Sequence, residues 1–283
     1  MKSKWSRACD IMKDPNPMKT SILVPIDFSD TSSNALYYAI HLFEPASLEV
    51  TLFHAYGVRS TALILRNIDG LLEESSRGMM DELLANFQFA YPGVTFNSDI
   101  VKDDPVPAIV ERGDSGNYDF VVMGTKGASG LKEVFLGSVA GGVISRSSVP
   151  VIVVPGGHRF RPLDEILFAV GNHPFSDARI IEPLRRIAKL HESKIKILHI
   201  ADEETLEIEE ALSALGDLDP SVDYAFGTGK THKDLSEYLM TDYSGLVCLI
   251  RGKKGYMDRL LHKSVTLKQT FDSTVPLLIL HGY

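Results

Sequence analysis

The sequence has little of what staples or anchors a chain. Only two cysteines occur in 283 residues, Cys9 and Cys248, and neither falls in a CxxC or Cys/His spacing. This excludes a disulfide framework and a cysteine-based structural zinc site, and it suits a reducing cytoplasm. No stretch approaches the roughly 18 consecutive apolar residues of a membrane span. The first twenty residues begin basic but lack the apolar run of a secretory signal, so residues 1–18 read as a disordered lead, with Met18 as an alternative start. Positive charge is also short. Against 37 Asp and Glu stand 29 Lys and Arg, a net charge of −8, which leaves no broad cationic surface for nucleic acid. The G-x-S-x-G elbow, the HExxH zinc helix and the G-x-G-x-x-G dinucleotide fingerprint are missing too.

What is present is an ordinary globular composition, 44% hydrophobic and 23% charged, at a length that favours two domains. Short apolar runs alternate with longer amphipathic ones. Ile22–Ile26 predicts a strand, Ser29–Phe43 a helix, Leu48–Ala55 a strand and Leu63–Phe89 a long helix. Val94–Val101, Phe120–Met123 and Val149–Val154 predict further strands, with helices over Pro105–Arg112 and Leu136–Arg146. Strands that are apolar throughout and alternate with helices form a parallel sheet covered on both faces.

The same order then returns. ILVPID at 22–27 is echoed by ILFAVG at 166–171, VTLFHAY at 50–56 by IKILHIA at 195–201, FVVMGTKG at 120–127 by LVCLIRGKKG at 246–255, and VPVIVVP at 149–155 by VPLLILH at 275–281. Four segments in one order predict a tandem duplication, with domains at 19–155 and 164–283 joined by the Gly/Pro/Arg segment 155–164.

The stretch richest in chemistry is Val122–Val139, VMGTKGASGLKEVFLGSV. Glycines at a strand's C-terminal end let backbone N–H groups approach a phosphate, and a following helix N-terminus adds donors and positive dipole. Such spacing also serves as a plain structural turn. Lys126 and Lys132 stand near the loop, where screening of phosphate charge is one reading and solvated surface lysines the commoner one; they are left out of the site.

Gly124-Thr-Lys-Gly127, nine residues, then Gly137-Ser138 resembles the G-x2-G-x9-G-[ST] signature of the universal stress protein family's ATP-binding branch. VPIDFSD at 24–30, Leu-Phe-His-Ala at 52–55 and the closing PVIVVP extend the resemblance across residues 19–155, and more weakly across 164–283. It implies an α/β fold of two tandem doubly wound, five-stranded parallel-sheet domains, adenine nucleotide alpha hydrolase-like. It also implies an adenine nucleotide across the strand ends: ATP, ADP or AMP, with or without Mg²⁺. Pro25 and Asp27 match the family's P-x-D, where the aspartate meets the adenosine end or a bound metal; helix capping is the plain alternative for Asp27. Ala55 matches the backbone contact to adenine, and Met123 the adenine-side residue. Gly124, Gly127, Gly137, Ser138 and Val139 match phosphate and ribose contacts. Ala140 departs from the Thr or Ser often found there. No general base stands in the motif, so the resemblance implies a stress-response sensor or switch with at most slow hydrolysis. A nucleotide-free interaction module remains the alternative.

The second copy reads as degenerate. Gly171 stands for Asp27, Gly252-Lys-Lys-Gly255 keeps one glycine pair, and His262-Lys263-Ser264-Val265 replaces Leu-Gly-Ser-Val. GTGKTH at 227–232 mimics a P-loop tail but has Tyr224 where the first glycine belongs. His54 and His199 repeat at strand ends and read as packing. A metal site from His173, His199 and His262 has no support in the spacing. The family's dimers imply that the final strands of the two halves pair edge to edge within the chain, an intrachain pseudo-dimer, with a further homodimer open.

Overall fold

The computed structural model describes residues 19–44, 46–57, 65–125, 137–170, 177–201, 207–226, 245–251 and 275–282. The first half runs β1 (Lys19–Pro25), α1 (Asp30–Phe43), β2 (Ser47–Tyr56), α2 (Leu65–Ala90), β3 (Thr95–Lys102), α3 (Pro105–Gly113), β4 (Phe120–Gly124), α4 (Ser138–Arg146) and β5 (Val151–Val154). The second runs β6 (Glu165–Val170), α5 (Glu182–His191), β7 (Lys194–Ala201), α6 (Glu207–Leu215), β8 (Ser221–Phe226), β9 (Leu246–Arg251) and β10 (Leu277–His281), with two short 3₁₀ turns. Local chemistry accounts for the boundaries. Ser29 caps α1 by accepting from the Ser32 N–H, and Asp104 caps α3 ahead of Pro105, whose missing N–H costs nothing in a first turn. The first four of the five residues of β4 are buried, as expected of a strand covered on both faces.

The fold is α/β with a mostly parallel sheet. Ten strands form one continuous sheet in the order β3-β2-β1-β4-β5-β10-β9-β6-β7-β8. Every neighbouring pair is parallel except β5 and β10, which run antiparallel with Leu277 opposite Val153 and Ile279 opposite Val151. The registers of the halves correspond: Ile22 lies opposite Val50 and Phe120, and Ile166 opposite Ile195 and Leu246.

Alternation along each strand sends neighbours to opposite faces. Ile22 joins a core with Leu36, Ile40, Phe43 and Met80 that continues through Ile166, Ile187 and Ala211. Leu23 joins the other, with Ile109, Val143, Ile144 and Val153, continuing through Leu167, Val247 and Ile279. Each core therefore runs through the β5/β10 seam. Cys248 lies in the first, and burial pushes its thiol pKa up, away from thiolate reactivity.

Side chains lock the halves together. From α5, Arg186 donates to the Lys19 carbonyl at 2.8 Å and the Thr20 hydroxyl at 2.6 Å, pairs with Asp119 at 2.9 Å and lies over the Phe120 ring. His191 Nε2 donates to the Leu42 carbonyl at 2.7 Å, and burial holds its pKa below the ordinary imidazole value. In the connecting segment, Phe160 packs among Tyr38, His41 and His191, while Asn34 donates to the Pro155 and His158 carbonyls. Arg186→Ala strips charged hydrogen bonds from a largely buried site and is expected to cost about 2 kcal/mol of stability. Urea denaturation with the slope unchanged measures it; a loss below about 0.5 kcal/mol would show that Arg186 does not hold the seam.

Candidate functional site

The C-terminal ends of β2, β1 and β4 stand side by side, and they carry most of the residues singled out from the sequence. In a sheet of order 3-2-1-4-5 the chain leaves β1 toward opposite sides, and the crevice beside β1 and β4 is where such sheets take ligands. Pro25 ends β1, the Ile26 N–H bonds the Phe53 carbonyl at 2.8 Å, and Ala55 lies near the end of β2. Met123 is buried and Gly124 half-buried at the end of β4. The Gly137 N–H donates to the Thr125 carbonyl at 2.5 Å, which brings the start of α4 back to the end of β4. Ser138 is exposed there and Val139 half-buried. Pro25, Asp27, Ala55, Met123, Gly124, Gly137, Ser138 and Val139 thus share one end of the sheet. Gly127, Lys126 and Lys132 lie outside the described residues.

The turn after β1 is a closed polar network. Asp27 Oδ1 accepts from the Ser29 N–H at 3.2 Å and the Ser29 hydroxyl at 2.6 Å. Ser29 Oγ accepts from the Ser32 N–H at 3.2 Å, and Ser32 Oγ donates to the Ser29 carbonyl at 3.0 Å. The capping role open for Asp27 therefore belongs to Ser29: the first helical residue is Asp30, which places the cap two residues beyond the aspartate. Asp27 orients the cap instead. Between them Phe28 adopts a left-handed φ of 61°, an uncommon state for a bulky residue that costs about 1–2 kcal/mol. Its ring packs 4.6 Å from that of His54. His54 in turn donates from Nδ1 to the Ile26 carbonyl at 2.7 Å and accepts at Nε2 from Ser76 on α2 at 3.2 Å. Both nitrogens are engaged, so His54 is a brace between β1 and α2. Among the described residues, no group of three His, Cys, Asp or Glu gathers as a metal site would require.

At α4 the picture is reversed. Gly137, the N-cap, brings no side-chain hydrogen bond, and among the described residues no acceptor meets the first-turn amides at Ser138 and Val139. A phosphate is the natural acceptor, because donors and helix dipole act together there. Ala140 is buried in the α4 face of the core, so its methyl is a packing group.

Gly124 has a second reason to be glycine. A Cβ there would lie 2.6 Å from Thr31 Cγ2 and 3.1 Å from the Thr31 carbonyl. Thr31 belongs to the first turn of α1, and no sequence signal marked that approach. Gly156 faces Thr31 Oγ1 at 3.3 Å by the same measure.

Comparison with known proteins bears on the first half most directly. A family model described as the universal stress protein family matches residues 18–155. A universal stress protein of Methanocaldococcus jannaschii is 30% identical over 154 residues, which are 51% of this chain and 86% of that protein. The chain belongs to the universal stress protein family. A universal stress protein of Mycobacterium tuberculosis is 31% identical over 140 residues, but the match spans 49% of this chain and only 46% of that one. Over the whole chain, a solved universal stress protein from Archaeoglobus fulgidus matches with a TM-score of 0.70 at 20% identity, covering 92% of this chain and 95% of that one. At that identity the likeness establishes the fold.

The strand registers correct one sequence alignment. Gly124 lies opposite Val154 in β5, and the residue opposite Leu280 in β10 is Ile250, followed by Arg251. Ile250 and Arg251 therefore occupy the places of Gly124 and Thr125, and the Gly252–Gly255 pair falls two residues too late to be their counterpart. Gly252–Gly255, Gly171, His262–Val265, His173 and the GTGKTH segment lie outside the described residues. His199 is in β7, opposite Tyr224 of β8.

Proposed function

We propose that residues 19–155 form a domain that binds an adenine nucleotide, ATP or its lower phosphates, across the ends of β1, β2 and β4. The uncapped N-terminus of α4, returned to the end of β4 by the Gly137 to Thr125 bond, carries this reading. Its amides receive the phosphates, and Asp27, with the shape of its turn held by Ser29 and Phe28, meets the adenosine end. A carboxylate next to a polyphosphate repels it, so Asp27 belongs with a ribose or adenine donor or with a cation such as Mg²⁺. Family membership and the G-x2-G-x9-G-[ST] spacing support the same ligand. Residues 164–283 form the second domain, whose Ile250 and Arg251 replace the glycine strand end; it serves pairing or regulation.

The reading fits a cytoplasmic stress-response sensor or switch in which occupancy is the signal and hydrolysis is slow. Native mass spectrometry of freshly purified chain is expected to show one adenine nucleotide per chain, and calorimetry to show ATP binding with Mg²⁺. Asp27→Asn is expected to weaken binding about tenfold, near 1.4 kcal/mol. Absence of both a copurified nucleotide and calorimetric ATP binding would sink the proposal. One observation favours the alternative, an interaction module without nucleotide: the packing of Thr31 on Gly124 explains that glycine with no ligand at all. That reading predicts Asp27→Asn and Ser138→Ala chains that differ from the parent in no nucleotide measurement.

A further inference from the structure

The helix that opens on the site is fixed from its far end, and one of the fixing groups comes from the other half of the chain. α4 is nine residues long, and its Gly142 is pressed against α3, where an added Cβ would meet Val106 side-chain atoms at 2.8 and 2.9 Å. Its C-terminal exit is held by Asp114, which accepts from the Ser147 hydroxyl at 3.0 Å, the Ser148 N–H at 3.0 Å and the Val149 N–H at 3.3 Å. A further contact comes from Arg251, the last residue of β9, whose guanidinium donates to the Ser145 carbonyl in the last turn of α4. Arg251 is 6% exposed, and its own carbonyl accepts from the Gly282 N–H at 2.9 Å just beyond β10. Its backbone is therefore fixed by the second half while its charge is delivered to the first. A cation at a helix C-terminus both satisfies an orphan carbonyl and complements the macrodipole.

We propose that Arg251 is a positioning residue, supplied by the second half, for the phosphate end of the first half's nucleotide site. The inference rests on the reading of α4 as the phosphate-binding helix. Arg251 sits about two helical turns from Ser138, too far to meet a phosphate, and acts by holding α4 in place and reinforcing its polarity. The position is informative because the first half has an uncharged Thr125 at the corresponding point of the register.

The test compares ATP with adenosine, which shares the base and sugar but carries no phosphate. By calorimetry on the full chain, Arg251→Met is expected to weaken ATP binding about fivefold while adenosine affinity stays within twofold. Arg251→Gln keeps a donor but no charge, and is expected to lose about two- to threefold for ATP alone. It decides the matter should Arg251→Met not fold. Hydrogen exchange at the Gly141 amide, which donates to the Gly137 carbonyl at 2.9 Å, is expected to rise in the nucleotide-free form of both variants. An unchanged ATP-to-adenosine ratio, or a parallel loss of both ligands, overturns the proposal, because a purely structural role moves both or neither. A parent chain that binds ATP no better than adenosine removes the phosphate reading of α4 itself, and this inference with it.

Discussion

Gly124→Ala is expected to destabilise the chain by about 2–3 kcal/mol, although it adds one methyl group and leaves every polar contact of the site untouched. The new Cβ would stand 2.6 Å from Thr31 Cγ2 and 3.1 Å from the Thr31 carbonyl. The methyl of Thr31 can be removed, but the carbonyl is part of the first turn of α1 and moves only with the helix. Thr31→Ser deletes Cγ2 and should recover about half of the loss, so the two substitutions are strongly non-additive. Thermal unfolding of the four chains measures this, with a fall of roughly 5–10 °C for Gly124→Ala alone. A Gly124→Ala chain as stable as the parent would mean that α1 does not rest on this glycine. The result also bears on function. Loss of nucleotide binding on substituting Gly124 reports displacement of α1 as readily as loss of a phosphate contact, so Asp27 and Ser138 are the cleaner probes.

The second large effect is acid lability at the seam. His281 ends β10, with both ring nitrogens sealed from solvent. Burial and the nearby Arg251 charge push its pKa from 6.5 down to about 4, against weaker opposing pulls from the Val149 backbone and Asp114. The residue as a whole keeps some exposure, but the atoms that take up the proton do not, so the depression follows the buried ring. The folded state holds the imidazole neutral, and the unfolded chain is protonated first as pH falls. Stability from this source is complete above about pH 6.5 and is lost on descending toward 4. Between pH 7.5 and 4.5 the loss amounts to about 2–3 kcal/mol, and His191, also depressed by burial, adds in the same direction. His281→Gln should flatten the pH dependence of the urea midpoint by that amount. An equally steep loss in the variant would move the cause elsewhere.

The elements that were legible in the sequence are those whose pattern is set by neighbours in the chain. The buried strands Ile22–Ile26 and Phe120–Met123 were plain because parallel strands covered on both sides are apolar at every position, and Ser29–Phe43 because its apolar residues recur at helical spacing behind serine caps. The observed β1, β4 and α1 keep those positions, with no end shifted by more than three residues. The glycines at a strand end and the Gly-Ser helix start are local features, so the candidate residues could be proposed from the sequence, and the structure brings the described ones to one end of the sheet. What could not be read depends on contacts between distant segments. Nothing in Asp-Thr-Ser announces that Thr31 will lie on Gly124, and nothing in His54 announces that its two nitrogens will bridge β1 and α2. Phe28 gives no warning of a left-handed backbone, because its neighbours in space supply the compensation. Residue type pairs Gly252-Lys-Lys-Gly255 with Gly124–Gly127, whereas hydrogen-bond register is set by the strands and places Ile250 and Arg251 at Gly124 and Thr125.

The antiparallel joint between β5 and β10 changes what the chain can do with that register. Two identical subunits meeting through such strands would obey a two-fold axis, and each residue at the interface would have to serve on both sides at once. Here both strands belong to one chain. Their association is unimolecular, so its strength does not fall on dilution. Each side of the joint is also free to change alone: an arginine at the end of β9 has no obligation to suit the end of β4, where a threonine stands. Asymmetry that a symmetric pair could not hold is available to this chain.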